Sequence, residues 1–429
     1  MKLYTAQTCG ELLARGSFEK QEQLRTVRDI IADVRARGDK AVFELEEKFD
    51  GTHLTAENFR VSEEEIAQAY REVKPELLDS LRLAIKNIYE YHSRDGRKDN
   101  VRTDALGRTT GYVVRPVESA GIYVPGGTAP LSSSVCMGVL PAKAAGVKRI
   151  VVTTPAKNGK IHPLTLVAAR ECGADEIYKT GGAQAIAALA YGTESMKKVD
   201  VIAGPGNIFV TLAKKEVYGQ VGIDMLAGPS EILIVADGSA DPDFVAADVL
   251  SQAEHDRLSR AIVITDDKEL AEKISEATER RLRELPRQEI ARESLENNGG
   301  IILVSDLNEA AAISNAIAPE HLELYVRDPE GLLPLIQNAG AVFLGAYTPE
   351  PVGDYFAGPD HILPTGGSAK YFQVLNEDVF TRKMSVISYS AQAIKEDGKH
   401  IVRLAESEQL AAHARAVQAR LDKLTEESK

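Results

Sequence analysis

Apolar side chains follow three rhythms along the chain. From about residue 20 to 49 and from 62 to 94 they recur at helical spacing amid dense charge, as in Leu24, Val27, Ile30, Ile31 and Val34. That spacing predicts amphipathic helices with one face packed and the other in water. From about residue 111 the texture changes to short β-branched runs, each followed by Gly or Pro and then by an alanine-rich helical stretch. Residues 113–114, 150–152, 176–178 and 199–202 read as strands, with helices near 135–145, 164–171, 183–190 and 209–217. This alternation predicts βαβ units and a parallel sheet. The rhythm restarts at 231–236 and passes through 261–265, 301–304 and 341–344, which predicts a second α/β unit in tandem with the first. The third rhythm is an amphipathic, charge-rich helix over about 404–424 that needs another surface to dock on.

Composition narrows the function more than the fold. A chain of 429 residues, 44% hydrophobic and 27% charged, has ample material for a large core. Its 51 Lys plus Arg against 64 Asp plus Glu give a formal net charge of -13. That balance argues against a phosphate-backbone footprint, so no nucleic-acid partner is expected. No run of about 18 apolar residues is present, so no membrane partner is expected, and the start has no apolar core of signal-peptide length. Cys9, Cys136 and Cys172 form no CxxC pair and cannot all pair within the chain, which suits a reducing compartment. The expected location is cytoplasmic.

Glycines punctuate the first α/β unit where strands should end: Tyr123-Val124-Pro125-Gly126-Gly127, Thr180-Gly181-Gly182-Ala183-Gln184 and Ala203-Gly204-Pro205-Gly206-Asn207. None is the G-x-G-x-x-G turn of the common dinucleotide site. Ligands of open parallel sheets lie beyond the carboxyl ends of the strands, so Tyr123, Gln184 and Asn207 would rim one cleft. A tyrosine can cover a planar ring, and the amides offer paired donors and acceptors to ribose or nicotinamide. The plainer alternative is three tight strand-to-helix turns.

Further candidates lie in the second unit. Gln252 and His255 stand three apart at the end of a helical run over 243–252, so both can point at one ion, although a glutamine carbonyl is an unusual zinc ligand. Glu320 and His321 follow another helical run. Adjacent residues do not share a helix face, so the two should address a cleft from different directions, one activating water and the other taking a proton from an alcohol. The alternative is a solvated Glu beside a packed His. A long irregular stretch over 349–367 carries Asp354, Asp360 and His361, and ordered loops of that length are often functional. His53, His92, His162 and His400 stand in charged or loop contexts and read as surface residues. Cys136, in an apolar helical setting, reads as a buried structural thiol.

Five blocks, in this order and spacing, resemble the histidinol dehydrogenase family: Gly181-Gly182-Ala183-Gln184-Ala185-Ile186-Ala187-Ala188-Leu189-Ala190, Gly204-Pro205-Gly206-Asn207, Ala227-Gly228-Pro229-Ser230-Glu231, Leu250-Ser251-Gln252-Ala253-Glu254-His255 and Pro319-Glu320-His321-Leu322. The resemblance covers essentially the whole chain. It implies an α/β fold of two tandem Rossmann-like parallel-sheet units with helical N-terminal and C-terminal extensions. The expected division is 1–108, mainly helical; 109–230, the NAD side; 231–375, the metal and catalytic side; and 376–429, an extension reaching a partner subunit. The implied activity is an oxidoreductase of histidine biosynthesis, zinc-dependent and NAD-linked. It converts L-histidinol to L-histidine through L-histidinaldehyde in a four-electron oxidation. By the same resemblance, Gln252, His255, Asp354 and His413 bind one Zn2+ per subunit. Ser230, His321 and Glu408 join those ligands in contacting substrate, Glu320 and His321 are the catalytic pair, and Tyr123, Gln184 and Asn207 bind NAD. Glu408 and His413, five apart, are about 140° apart around an ideal helix and should meet the site obliquely or near a helix end. A homodimer with shared active sites is implied.

Two other classes compete from the residues alone. A zinc hydrolase acting on a small amide or ester would use the same ion and Glu320, but it leaves the three punctuated turns unexplained and lacks an H-E-x-x-H pattern. A metabolite-binding protein without catalysis would leave Glu320 and His321 without a role.

Overall fold

The structure is a computed structural model that describes residues 1–13, 21–94, 96, 98–126 and 131–427. These residues form two compact units. The larger lies within Met1–Arg94 and Val117–Phe380, and the smaller within Asp95–Pro116 and Thr381–Lys429.

The larger unit holds two parallel sheets. In the first, the strand order is Glu176–Lys179, Arg149–Thr154, Ser119–Tyr123, Val201–Ala203, Gly222–Ile223. In the second, it is Leu3–Thr5, Gly300–Leu303, Arg260–Thr265, Glu231–Ala236, His321–Tyr325, Ala341–Leu344. Numbered along the chain within each unit, and leaving aside the N-terminal edge strand Leu3–Thr5, both sheets read 3-2-1-4-5. That is the doubly wound order, reversing between strands 1 and 4. The tandem α/β reading therefore stands.

Both faces of each sheet are covered, which is why the strands are almost continuously apolar. On one side of the first sheet, Tyr123, Val151, Tyr178 and Ile202 pack with Val27, Ile31 and Val34 of the helix Gln21–Arg37 and with Ile186 and Leu189 of the helix Gly182–Tyr191. On the other, Ile122, Ile150, Val152 and Ile177 pack with Val135 and Val139 of the helix Ser132–Ala145 and Leu166 of the helix Pro163–Cys172. Each such fully buried Val, Leu or Ile contributes about 1.5–3 kcal/mol. The charged helical N-terminal region thus finds its packing partner in the first sheet.

At the reversal point of the first sheet the chain is unusually tight. Gly204 has φ 118°, and a Cβ there would meet the Tyr123 carbonyl oxygen at 2.1 Å, so only glycine fits. The Lys214 ammonium donates to the Gly204 carbonyl and pairs with buried Asp224, whose carboxylate in turn accepts from the Gly204 and Met225 N–H groups.

Several local expectations change. Residues 113–114 do form strand, but within Arg108–Pro116 of the smaller unit, antiparallel to Asn100–Thr103 and Thr381–Tyr389. The first strand of the first parallel sheet is Ser119–Tyr123, and His321–Tyr325 is a strand as well. The C-terminal region is not one helix over 404–424. It is two, Ala391–Ser407 and Ala411–Glu426, broken where Gln409 takes φ 62°. His92 is buried, its Nδ1 3.3 Å from a Glu377 carboxylate oxygen, so it is not a surface residue. His53, His162 and His400 are exposed, and all three cysteines are buried.

Candidate active site

The helix Pro242–Ala253 begins beyond the carboxyl end of strand Glu231–Ala236, capped by Asp241 with Pro242 in its first turn. Running back antiparallel to that strand, it carries its last turn to the amino ends of strands Glu231–Ala236 and His321–Tyr325. Gln252 lies in that turn, 0% exposed. The helix stops at Ala253, so His255 stands in the following turn and the two do not share one continuous helical face. His255 is exposed, and partial desolvation of its imidazole lowers its pKa against the pull of Asp354.

Glu320 and His321 arrive at the same edge from the next crossover. The helix Leu307–Ile317 ends at Ala318, in the left-handed region at φ 50°, and Pro319 follows. The two side chains are not directed apart as expected. Both converge on the Glu231 peptide: Glu320 Oε2 accepts from Glu231 N at 2.7 Å, and His321 Nδ1 lies 3.1 Å from Glu231 O. Their mutual distance of 3.7 Å exceeds a hydrogen bond. His321 Nδ1 is also 2.9 Å from Gln252 Nε2. It can accept from that amide or donate to the carbonyl, so the protonation state of His321 selects its partner.

Around His321, 3% exposed, the site is strongly acidic. Its Nε2 lies 3.6 Å from Asp354 Oδ1 and 4.0 Å from Glu350 Oε1. Burial alone would lower the His321 pKa, but the charges of Glu350, Glu320 and Asp354 outweigh it and raise it to about 10. Burial pushes the Glu320 carboxyl up to about 8 and that of Glu350 to about 7, in each case against the opposing pull of His321. Asp354 also feels desolvation, yet the facing His321 imidazole and the nearby His361 and His255 hold it below the usual carboxylate range.

Ligand atoms of His321, Glu350 and Asp354 lie within 4.8 Å of one another. Two buried polar atoms beside them, Gln252 Oε1 and His321 Nε2, have no hydrogen-bond partner. Amide oxygen, imidazole nitrogen and carboxylate are donors suited to a divalent cation, and a cation is what unpaired buried acceptors among carboxylates would accommodate. The residues present therefore fit a metal. Ser230, partly buried, immediately precedes Glu231.

Glu350 was not among the sequence candidates. It is 2% exposed, its carboxylate accepts from the Ser251 hydroxyl at 3.1 Å, and its N–H donates to Glu323 Oε1 at 2.9 Å. A Glu flanked by prolines in a polar stretch carries no signal of burial; only its nearness to Asp354 in sequence could have drawn attention to it.

On the first sheet, Tyr123, Gln184 and Asn207 all follow carboxyl ends of strands, but they do not form an open rim. Tyr123 is buried, and its hydroxyl accepts from Gly182 N at 3.1 Å, so its ring is not free to cover a ligand. Gln184 is buried and bonded to Glu46. Asn207 is exposed and caps the helix Ile208–Val217. Gly127 lies outside the described residues. Glu408 and His413 belong to the smaller unit, both exposed, on either side of the helix break: Glu408 ends the first helix and His413 lies in the first turn of the second.

The histidinol dehydrogenase family profile matches residues 13–421. The chain is 53% identical to a histidinol dehydrogenase of Bacillus cereus over 93% of its own length and 92% of that protein. It is 52% identical to one of Moorella thermoacetica over 96% of both. The crystal structure of histidinol dehydrogenase from Elizabethkingia anophelis matches with TM-score 0.95 and 38% identity, covering 99% of each chain. An acetylating aldehyde dehydrogenase from Geobacillus thermoglucosidasius, at TM-score 0.50 and 15% identity over 88% of this chain and 99% of that one, shares the fold alone. The chain belongs to the histidinol dehydrogenase family and is an oxidoreductase.

Proposed function

We propose that this enzyme oxidises L-histidinol to L-histidine by way of L-histidinaldehyde, the last step of histidine biosynthesis, using two NAD per turnover. We assign it to the cytoplasm as a homodimer with shared sites and one zinc ion per subunit. The observation that carries this reading is the pair of unpartnered buried atoms, Gln252 Oε1 and His321 Nε2, set among carboxylates in a chain of this family. In this assignment Gln252, His255 and Asp354 hold the ion together with His413 contributed by a second copy. Ser230, His321 and Glu408 add substrate contacts, while Tyr123, Gln184 and Asn207 form the NAD side. The chain then divides by role into 1–108, 109–230, 231–375 and 376–429.

When bound, zinc supplies a template for the substrate's imidazole and amino nitrogens, and NAD supplies the hydride acceptor. His321 takes the carbinol proton at Nε2, while its Nδ1–H donates to the Glu231 carbonyl and so holds the ring. Glu320, whose Oε2 is fixed by the Glu231 N–H, takes a proton at Oε1 from the water that adds to the aldehyde. As the hydrate forms, His321 returns its first proton to the former carbonyl oxygen, and it then takes the hydroxyl proton of the hydrate in the second oxidation. A dication held among these residues would balance the carboxylates that favour imidazolium, so that His321 could act as a base. Burial of Glu320 and His321 keeps bulk water from the aldehyde.

The test is NADH formation, read by absorbance, on mixing protein of measured zinc content with NAD and L-histidinol. A steady signal that disappears on chelation and returns with zinc is expected. Metal-replete protein that gives no NADH overturns the assignment.

A further inference from the structure

The mechanism above gives no role to Glu46, yet it is among the most completely buried carboxylates in the described chain. It lies in the helix Asp39–Asp50, 0% exposed. One oxygen, Oε1, accepts three hydrogen bonds: from the Thr180 hydroxyl at 2.7 Å, from Gly181 N at 2.9 Å and from Gln184 Nε2 at 2.8 Å. The other, Oε2, is buried without a partner. Thr180 and Gly181 lie in the turn that leads from strand Glu176–Lys179 into the helix Gly182–Tyr191, and Gln184 lies in the first turn of that helix. A carboxylate from outside the βαβ unit thus fills the amino end of that helix and fixes which way the Gln184 amide faces. The Gln184 oxygen is turned beneath Gly182, where a Cβ would meet it at 2.8 Å and where φ is +60°. Gly182 N in turn donates to the Tyr123 hydroxyl. Glu46, Thr180, Gly181, Gly182, Gln184 and Tyr123 therefore form one linked assembly under the turn.

We propose that Glu46 is a positioning residue for the nicotinamide cofactor. It sets the turn and the Gln184 amide before the cofactor arrives, so its loss weakens cofactor binding without touching the site of histidinol. The inference rests on the assignment of Tyr123, Gln184 and Asn207 to NAD. It also gives the N-terminal helical region a part in catalysis beyond covering the sheet. Only one carboxylate oxygen is used, so an amide can replace the acid: Gln in place of Glu46 keeps the acceptor and puts its NH2 where Oε2 now has no partner.

The experiment measures KM for NAD and for L-histidinol separately, with thermal melting alongside, in wild type, Glu46→Ala, Glu46→Gln, Thr180→Val and Gln184→Ala. Loss of the carboxylate removes three bonds to one acceptor, so Glu46→Ala should raise KM for NAD by about tenfold or more with the histidinol KM changed by less than about twofold. Glu46→Gln should stay within about threefold of wild type on both. Thr180→Val, which removes one donor at nearly constant volume, should raise the NAD KM alone by about twofold to fivefold, and it decides the matter if Glu46→Ala does not fold. An NAD KM unmoved by Glu46→Ala or Thr180→Val, or a parallel rise in both KM values, overturns the positioning role. If Gln184→Ala weakens NAD while the Glu46 and Thr180 variants do not, Glu46 alone loses its assignment. If Gln184→Ala is also silent, the assignment of the turn to NAD fails, and this inference with it.

Discussion

The two parallel sheets share one strand order, yet they differ in which end of the reversal-point pair carries chemistry-bearing residues. In the first sheet these residues follow the carboxyl ends of the strands, and there each is held by the chain's own groups: Tyr123 receives Gly182 N–H, Gln184 is tied to Glu46, and Asn207 caps its own helix. In the second they gather at the amino ends, beside Glu231 and His321. There acids crowd a histidine, and two buried atoms have no partner. One topology is finished in two ways. Where the chain's own acceptors hold the polar side chains, the backbone is prepared for a ligand; where an amide oxygen and an imidazole nitrogen are unpaired among carboxylates, the arrangement suits a cation.

The largest effect that would sharpen this contrast is at His321. His321→Asn should lower kcat for both half-reactions by about a thousandfold, as expected for a lost general base, while zinc content is kept. Stopped-flow NADH formation from histidinol and from the aldehyde reads each half. Glu320→Gln should divide them: aldehyde oxidation falls by about a hundredfold, alcohol oxidation by less than about tenfold. Equal loss would refute the water-activating role of Glu320.

Metal should act on one region only. At about a hundredfold excess over its Kd, zinc should stabilise the protein by about 2.7 kcal/mol. It should also slow proteolysis within 345–361 while leaving cleavage within 180–192 unchanged. Protection of both segments would erase the contrast.

The smallest effect is a pH dependence at Glu46. Burial first, with nearby Asp50 adding, pushes its carboxyl up to about 7 from 4.5 against three hydrogen bonds that lower it; the phenol of Tyr123 faces the same assembly. Between those values the folded chain keeps a proton that the unfolded chain has released, so stability should decline as pH rises through that window. The urea midpoint of wild type should fall from pH 5 to pH 8 more than that of Glu46→Gln. Parallel profiles would show that Glu46 titrates normally.

Much of the fold was legible because helices and fully apolar strands announce themselves locally. Two inner strands of the parallel sheets were among those that did not. Ser119–Tyr123 is short and contains Gly121, and His321–Tyr325 carries a buried Glu323 among its leucines. Residues 113–114 were legible as strand but not as antiparallel, because pairing is decided by a partner more than 260 positions away. The candidate residues of the second sheet stood out as Gln, His, Glu and Asp in unusual blocks. Glu46, Glu350 and His92 did not, because a charged residue in a polar segment looks solvated until the fold closes over it.

The clamp on Gly204 has a consequence for exchange kinetics. Its N–H and C=O are held by the two members of a buried ion pair, and removing one member of such a pair costs about 3–5 kcal/mol. Local opening at the reversal point is therefore costly, and the Gly204 amide should trade its hydrogen for deuterium slowly. The crossing of the first sheet is a fixed point, and if the proposed NAD assignment holds, movement there should fall to the exposed turn beyond it, at Asn207.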